Sequence, residues 1–159
     1  MVVDLHWGDR SVDVVEGIDV HVETAGPPGA PVIGLLHGFS SGTFTWSGIA
    51  PLLADRFRLV AWDRPPFGRS VRPSPRRGDG DPYSPAATVR HGLAVLDRHG
   101  GGGETVVLVG HSAGTVVAAD IARAGAVAGL VLIAPAFDGG PPAPVLRAFG
   151  LPGATPLAT

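Results

Sequence analysis

Cysteine is absent from this 159-residue chain, and so is lysine, all twelve basic residues being arginine. Without thiols there is no disulfide framework and no thiolate metal site. Excess charge is also lacking: 14 acidic and 12 basic residues give a net charge of −2, too balanced for the broad basic field that nucleic acid or an anionic membrane surface would require. The tight basic cluster Arg72, Arg76 and Arg77 has Asp79 and Asp81 beside it and reads as a solvated loop. The opening "MVVDLHWGDRS" has neither a basic n-region nor an apolar h-region, so a cytoplasmic location is expected. One further absence bears on chemistry: no histidine follows His111.

What is present is apolar and orderly. Hydrophobic residues make up 45% of the chain, enough for one enclosed core. Residues 12–15 ("VDVV") and 18–24 ("IDVHVET") alternate apolar and polar side chains around a Glu-Gly pair, which predicts an antiparallel hairpin. Beyond "AGPPGAP" the alternation gives way to continuous apolar runs: "VIGLL" (32–36), "FRLVAW" (57–62), "TVVLV" (105–109) and "GLVLIA" (129–134). Such runs predict strands covered on both faces, as in a parallel sheet flanked by helices.

Three stretches could supply the helices. Thr43 to Leu53 carries Trp46, Ile49 and Leu53 at helical spacing, limited by Pro51. Ser84-Pro85 is a capped helix opening, followed by Val89, Leu93 and Leu96 on one face and by Gly100. From Ala113 to about Ala124 the composition is that of a helix buried against a sheet. Strand–helix alternation of this kind predicts an α/β fold with right-handed crossovers, and no second domain or repeat interrupts it.

The strongest run leads into Gly110-His111-Ser112-Ala113-Gly114. A G-x-S-x-G pattern is weak alone, because glycine is so frequent here, but between a strand and a helix it fits the strained turn that lifts a serine hydroxyl above the sheet edge. With "LLHGF" (35–39) after the third strand and "DRPPFGRS" (63–70) after the fourth, the three stretches stand in one order. In that order they resemble the α/β-hydrolase family.

The resemblance implies a mostly parallel, doubly wound sheet, truncated after about strand six, with residues 1–138 as a partial core and 139–159 as the beginning of a lid segment or a disordered tail. It implies Ser112 as nucleophile and the backbone N–H groups of Phe39 and Ala113 as oxyanion hole, supported by His37, Gly38, Gly110, His111 and Gly114. His37 falls on the family's loop-supporting histidine position rather than that of a base. Asp63 and Ser70 fall on a turn that family members use structurally. His6, His21, His91 and His99 read as surface or packing residues.

In the family the order is serine, acid, histidine, with the last two usually after strands seven and eight. Asp138, after "LVLIAPAF", matches an alternative acid position. The chain therefore resembles the front half of a longer serine hydrolase acting on esters or related acyl or carbon–carbon bonds. A serine at the elbow speaks against the epoxide-hydrolase and dehalogenase branches, which use aspartate there. The alternatives are an inactive fragment, a non-enzymatic binding relative, or one half of a split hydrolase completed by a second chain. The expected partner is a small-molecule substrate, without cofactor, metal, nucleic acid or membrane. Self-association or a completing chain would use the apolar edge 129–134.

Overall fold

The computed structural model describes residues 5–100, 106–125 and 127–135. Asp138, the segment 139–159 and Thr105 lie outside the described residues. A six-stranded sheet is formed by β1 (Asp9–Val15), β2 (Ile18–Ala25), β3 (Val32–Leu36), β4 (Arg58–Trp62), β5 (Val106–His111) and β6 (Gly129–Ile133), in spatial order β1-β2-β4-β3-β5-β6. β1 pairs antiparallel with β2, and β2 with β4; the remaining pairs are parallel. The hairpin between β1 and β2 turns on Glu16 and Gly17 alone, both at positive φ (52° and 77°), the backbone of a type I′ turn.

The helices are α1 (Ala50–Leu53), α2 (Pro85–Gly100) and α3 (Gly114–Ala124). The predicted stretch 43–53 divides into a 3₁₀ turn over Thr43–Trp46 and the single turn of α1, where Pro51 is accommodated because the amides of a first helical turn need no intrahelical partner. In α2, Ser84 caps as expected, its Oγ accepting from the Ala87 N–H at 3.1 Å.

The two faces of the sheet are covered unequally. On one face Val32, Leu36, Val60, Trp62, Val106 and Leu108 pack beneath Val95 and Leu96 of α2 and Ala118 and Ile121 of α3. The other face buries Leu35, Leu59 and Ala61 under Trp46 and Ala50. That cover reaches Val109 of β5 but no residue of β6, where Val131 and Ile133 remain 47% and 42% exposed. The Ser112 strand, β5, is interior and one strand from the β6 edge. Among the described residues, no helix is long and apolar enough to cross a membrane.

Candidate active site

Parallel strands deliver their carboxyl ends to one edge of a sheet, and here β3, β4 and β5 deliver three loops to the same place. Ser112 follows β5 directly and has φ of +52°, a left-handed conformation that few side-chain-bearing residues adopt. Its backbone is fully engaged: the N–H donates to the Ile133 carbonyl at 2.9 Å, and the carbonyl accepts from the Thr115 N–H (2.9 Å) and hydroxyl (2.6 Å). Its hydroxyl has no hydrogen-bond partner among the described residues.

The flanking glycines are required by space. A Cβ on Gly110 would stand 2.6 Å from the Gly114 carbonyl oxygen, and one on Gly114 would overlap the carbonyls of Leu36 and His37. Helix α3 thus starts against the end of β3, which brings the following loop to the serine. A Cβ on Gly38 would lie 3.3 Å from Ser112 Cβ and 3.3 Å from His111 Nδ1. The N–H groups of Phe39 and Ala113, on either side of this contact, have no acceptor among the described residues.

By contrast, the loop itself is densely bonded. His37 is fully buried; its Nε2 accepts the Arg64 N–H at 3.0 Å, which leaves the proton on Nδ1, donated to the Gly38 carbonyl at 2.7 Å. Burial, reinforced by the Arg64 charge and only partly offset by the bond to Gly38, pushes the imidazole pKa down to about 3. With both nitrogens committed, His37 has no lone pair for the serine proton. Asp63 accepts the Thr43 N–H at 2.6 Å on one oxygen and the Arg69 N–H at 2.8 Å on the other. Ser70 donates to the Asp63 carbonyl and accepts the His21 N–H at 2.8 Å.

Of the remaining histidines, all but His111 lie away from the elbow. His99 meets Asp13 at 2.9 Å, His91 stands 3.7 Å from Glu16, and His6 lies 3.5 Å from Glu23. His21 is on β2, and burial lowers its pKa. His111 packs beside Gly38 and makes no hydrogen bond to Ser112 among the described residues. Sequence reasoning brought Ser112, Ala113, Phe39, Gly38 and His37 together but passed over Arg64, whose only sequence signal is its place in "DRPPFGRS". A groove of about 340 Å³, lined by Tyr83, Pro85, Val89, Ala113, Val116 and Asp120 among others, adjoins the elbow at Ala113. No group of acidic residues and histidines among those described could hold a metal ion.

Residues 35–159 match the profile of the alpha/beta hydrolase family. Epoxide hydrolase A of Mycobacterium tuberculosis is 36% identical over 110 residues, which cover 69% of this chain and 32% of that protein. The crystal structure of an alpha/beta hydrolase fold protein from Burkholderia ambifaria superposes with a TM-score of 0.73 at 25% identity, covering 93% of this chain and 50% of that one. The esterase RhEst1 from Rhodococcus sp. ECU1013 gives 0.67 at 29% identity, over 80% of this chain and 45% of its own. The chain thus spans half or less of these solved structures and about a third or less of the curated relatives it matches.

Proposed function

This chain belongs to the alpha/beta hydrolase family, and we propose that it carries the nucleophile and oxyanion hole of a serine hydrolase acting on an ester or related acyl bond. Ser112 Oγ attacks the acyl carbon and gives its proton to a base. The resulting oxyanion is held by the Phe39 and Ala113 N–H groups until the alcohol leaves; water then releases the acid. The observation that carries the reading is the left-handed Ser112, its hydroxyl unbonded, followed by the Ala113 N–H and packed beside Gly38, the residue before the Phe39 N–H, both N–H groups without acceptors among the described residues.

Serine favours acyl chemistry over epoxide opening, which uses a carboxylate nucleophile at this place in the family. The similarity to Epoxide hydrolase A therefore bears on ancestry and scaffold, while the similarity to an esterase agrees with the nucleophile. Asp138 is the acid in this reading. None of the six histidines is the base in this reading: His37 is engaged, His6, His21, His91 and His99 are sited elsewhere, and His111, though beside Ser112, makes no hydrogen bond to it among the described residues. The base is a histidine from outside residues 1–159, on a continuation of the chain or on a second polypeptide.

That requirement favours a second reading, a chain inactive until completed. The exposed Leu130, Val131 and Ile133 of β6 are the surface through which completion or self-association would occur. One experiment tests both: residues 1–159 and a Ser112→Ala variant are assayed on 4-nitrophenyl acetate and by light scattering. The expected result is slow hydrolysis, part of it lost in Ser112→Ala; the oxyanion hole and binding alone, about 10³ to 10⁴ over water, act without a complete triad and survive that substitution. Hydrolysis unaffected by Ser112→Ala would remove the nucleophile assignment. Turnover equal to that of intact esterases would mean that a base lies within these residues.

A further inference from the structure

Arg64 is a buried cation without an acid. Only 8% of it is exposed, and no carboxylate lies within ion-pair reach among the described residues. Its Nη2 donates to the His37 carbonyl at 2.7 Å and to the Gly38 carbonyl at 3.2 Å, while Nε has no partner. The guanidinium also stands 5.8 Å from the centre of the Phe67 ring, whose edge contacts reach His37 and Phe39. Burial lowers the Arg64 pKa to about 10, so the group is still charged at neutral pH.

Burying such a charge is unfavourable, and an apolar side chain of similar size would serve stability better. The geometry suggests what the charge does. The Gly38 carbonyl is held from two sides, by the guanidinium and by the His37 Nδ1–H. Among the described residues the only cis peptide is Pro65-Pro66, so the peptide between Gly38 and Phe39 is trans. In a planar trans peptide the N–H points opposite to the C=O. Fixing the Gly38 oxygen toward Arg64 therefore aims the Phe39 N–H the other way, and the positive charge on the carbonyl side polarises the amide and strengthens its donor end.

Building on the serine-hydrolase reading above, we propose that Arg64 is a positioning residue for the oxyanion hole, holding the Gly38–Phe39 peptide so that the Phe39 N–H faces the developing oxyanion beside Ser112. It touches no reacting atom. Its effect falls on transition-state stabilisation, so kcat rather than KM carries it.

The experiment uses the 159-residue chain in four forms: wild type, Ser112→Ala, Arg64→Met and Arg64→Lys. Each is assayed on 4-nitrophenyl acetate and, with ¹⁵N labelling, titrated with phenylboronic acid, which forms a tetrahedral adduct on a reactive serine without turnover. Arg64→Met is expected to lower the Ser112-dependent kcat about 10²-fold, the scale of one lost oxyanion donor, with KM changed less than about threefold. Arg64→Lys keeps the charge on a shorter side chain, whose ammonium must stand in for Nη2, and should recover about a tenth of the wild-type rate. The Phe39 amide resonance should move on boronate addition in wild type and stay in place in Arg64→Met and in Ser112→Ala.

If the Phe39 response to boronate survives Ser112→Ala, or wild type gives neither a Ser112-dependent rate nor a Phe39 shift, the serine reading fails and this proposal with it. If Ser112 is required but a folded Arg64→Met keeps the wild-type kcat and Phe39 response, the positioning role is wrong while the serine reading stands. Should the Met variant not fold, Arg64→Lys decides, and parity with wild type in both readouts overturns the proposal.

Discussion

The loop after β3 and the elbow after β5 lie against each other, yet they are satisfied to opposite degrees. Around the loop nearly every polar group is spoken for: both nitrogens of His37, both oxygens of Asp63 and the carbonyls of His37 and Gly38. At the elbow the Ser112 hydroxyl and the N–H groups of Phe39 and Ala113 are without partners among the described residues. The difference separates scaffold from chemistry. In the proposed reading, the groups that would meet a substrate are left open, and their neighbours, fixed by bonds of their own, hold them in place.

Breaking the scaffold should therefore cost far more than altering the elbow. The largest effect is expected at Asp63, whose buried carboxylate accepts one N–H from each of two segments. Removing it with Asp63→Ala loses two charge-assisted bonds and strands the Thr43 and Arg69 N–H groups, about 3 to 5 kcal/mol in all. Urea denaturation followed by circular dichroism measures it. A loss below about 1 kcal/mol would show that water replaces the carboxylate without penalty.

Gly114 comes next. Its Cβ would overlap the Leu36 and His37 carbonyls, so Gly114→Ala must push α3 away from β3. The expected cost is about 3 kcal/mol, because backbone on both sides cannot yield as a flexible side chain can. The same denaturation experiment reads it, with Gly48→Ala as a comparison at a glycine without positive φ where a Cβ would meet nothing within 4 Å.

Acid sharpens the comparison in another way. His37 has a folded pKa of about 3 against 6.5 when unfolded, so between these values the unfolded chain binds the extra proton. Its contribution to stability is thus complete above pH 6.5 and is lost as pH falls toward 3. From pH 6.5 to 5, His37 alone should remove about 1.5 kcal/mol. His21 and His91, whose pKa values burial also lowers, add in the same direction. Denaturation midpoints across this range, for wild type and His37→Asn, measure the slope, which the substitution should make shallower.

Much of this arrangement was legible in sequence because local chemistry dictated it. Continuous apolar runs imply strands covered on both faces, Glu16-Gly17 specifies a two-residue turn, and Ser84-Pro85 opens a helix in any context. The elbow was legible because a strand, a serine and two space-limited glycines occur in one short stretch. Arg64 was not, since its role depends on carbonyls that the fold alone brings to it. Nor was Glu23, a fully buried carboxylate on β2 that accepts the Trp7 and Gly8 N–H groups at 2.6 and 3.1 Å. Its alternation with Val20 and Val22 marked it as the polar face of a hairpin, but that face is covered by the segment leading into β1. The unequal cover of the sheet also escaped, because apolar runs in β4 and β6 read alike.

The smallest expected effect has the opposite sign. Ser112 is a residue with a Cβ held at φ +52°, a conformation that costs a non-glycine residue about 1 kcal/mol or more. Its hydroxyl gives nothing back among the described residues. Ser112→Gly relieves the strain but adds backbone entropy to the unfolded chain, so the net should be a gain of about 0.5 to 1 kcal/mol. Ser112→Ala keeps the strain and loses only an unbonded hydroxyl, and should lie within about 0.5 kcal/mol of wild type. Thermal unfolding of the three proteins side by side tests the order. A residue placed for packing would lose stability in both variants, whereas one that holds strain for a reaction gains stability in glycine as it loses the nucleophile. If Ser112→Gly proves less stable than Ser112→Ala, the turn favours a side chain after all, and the elbow belongs with the scaffold rather than with the chemistry.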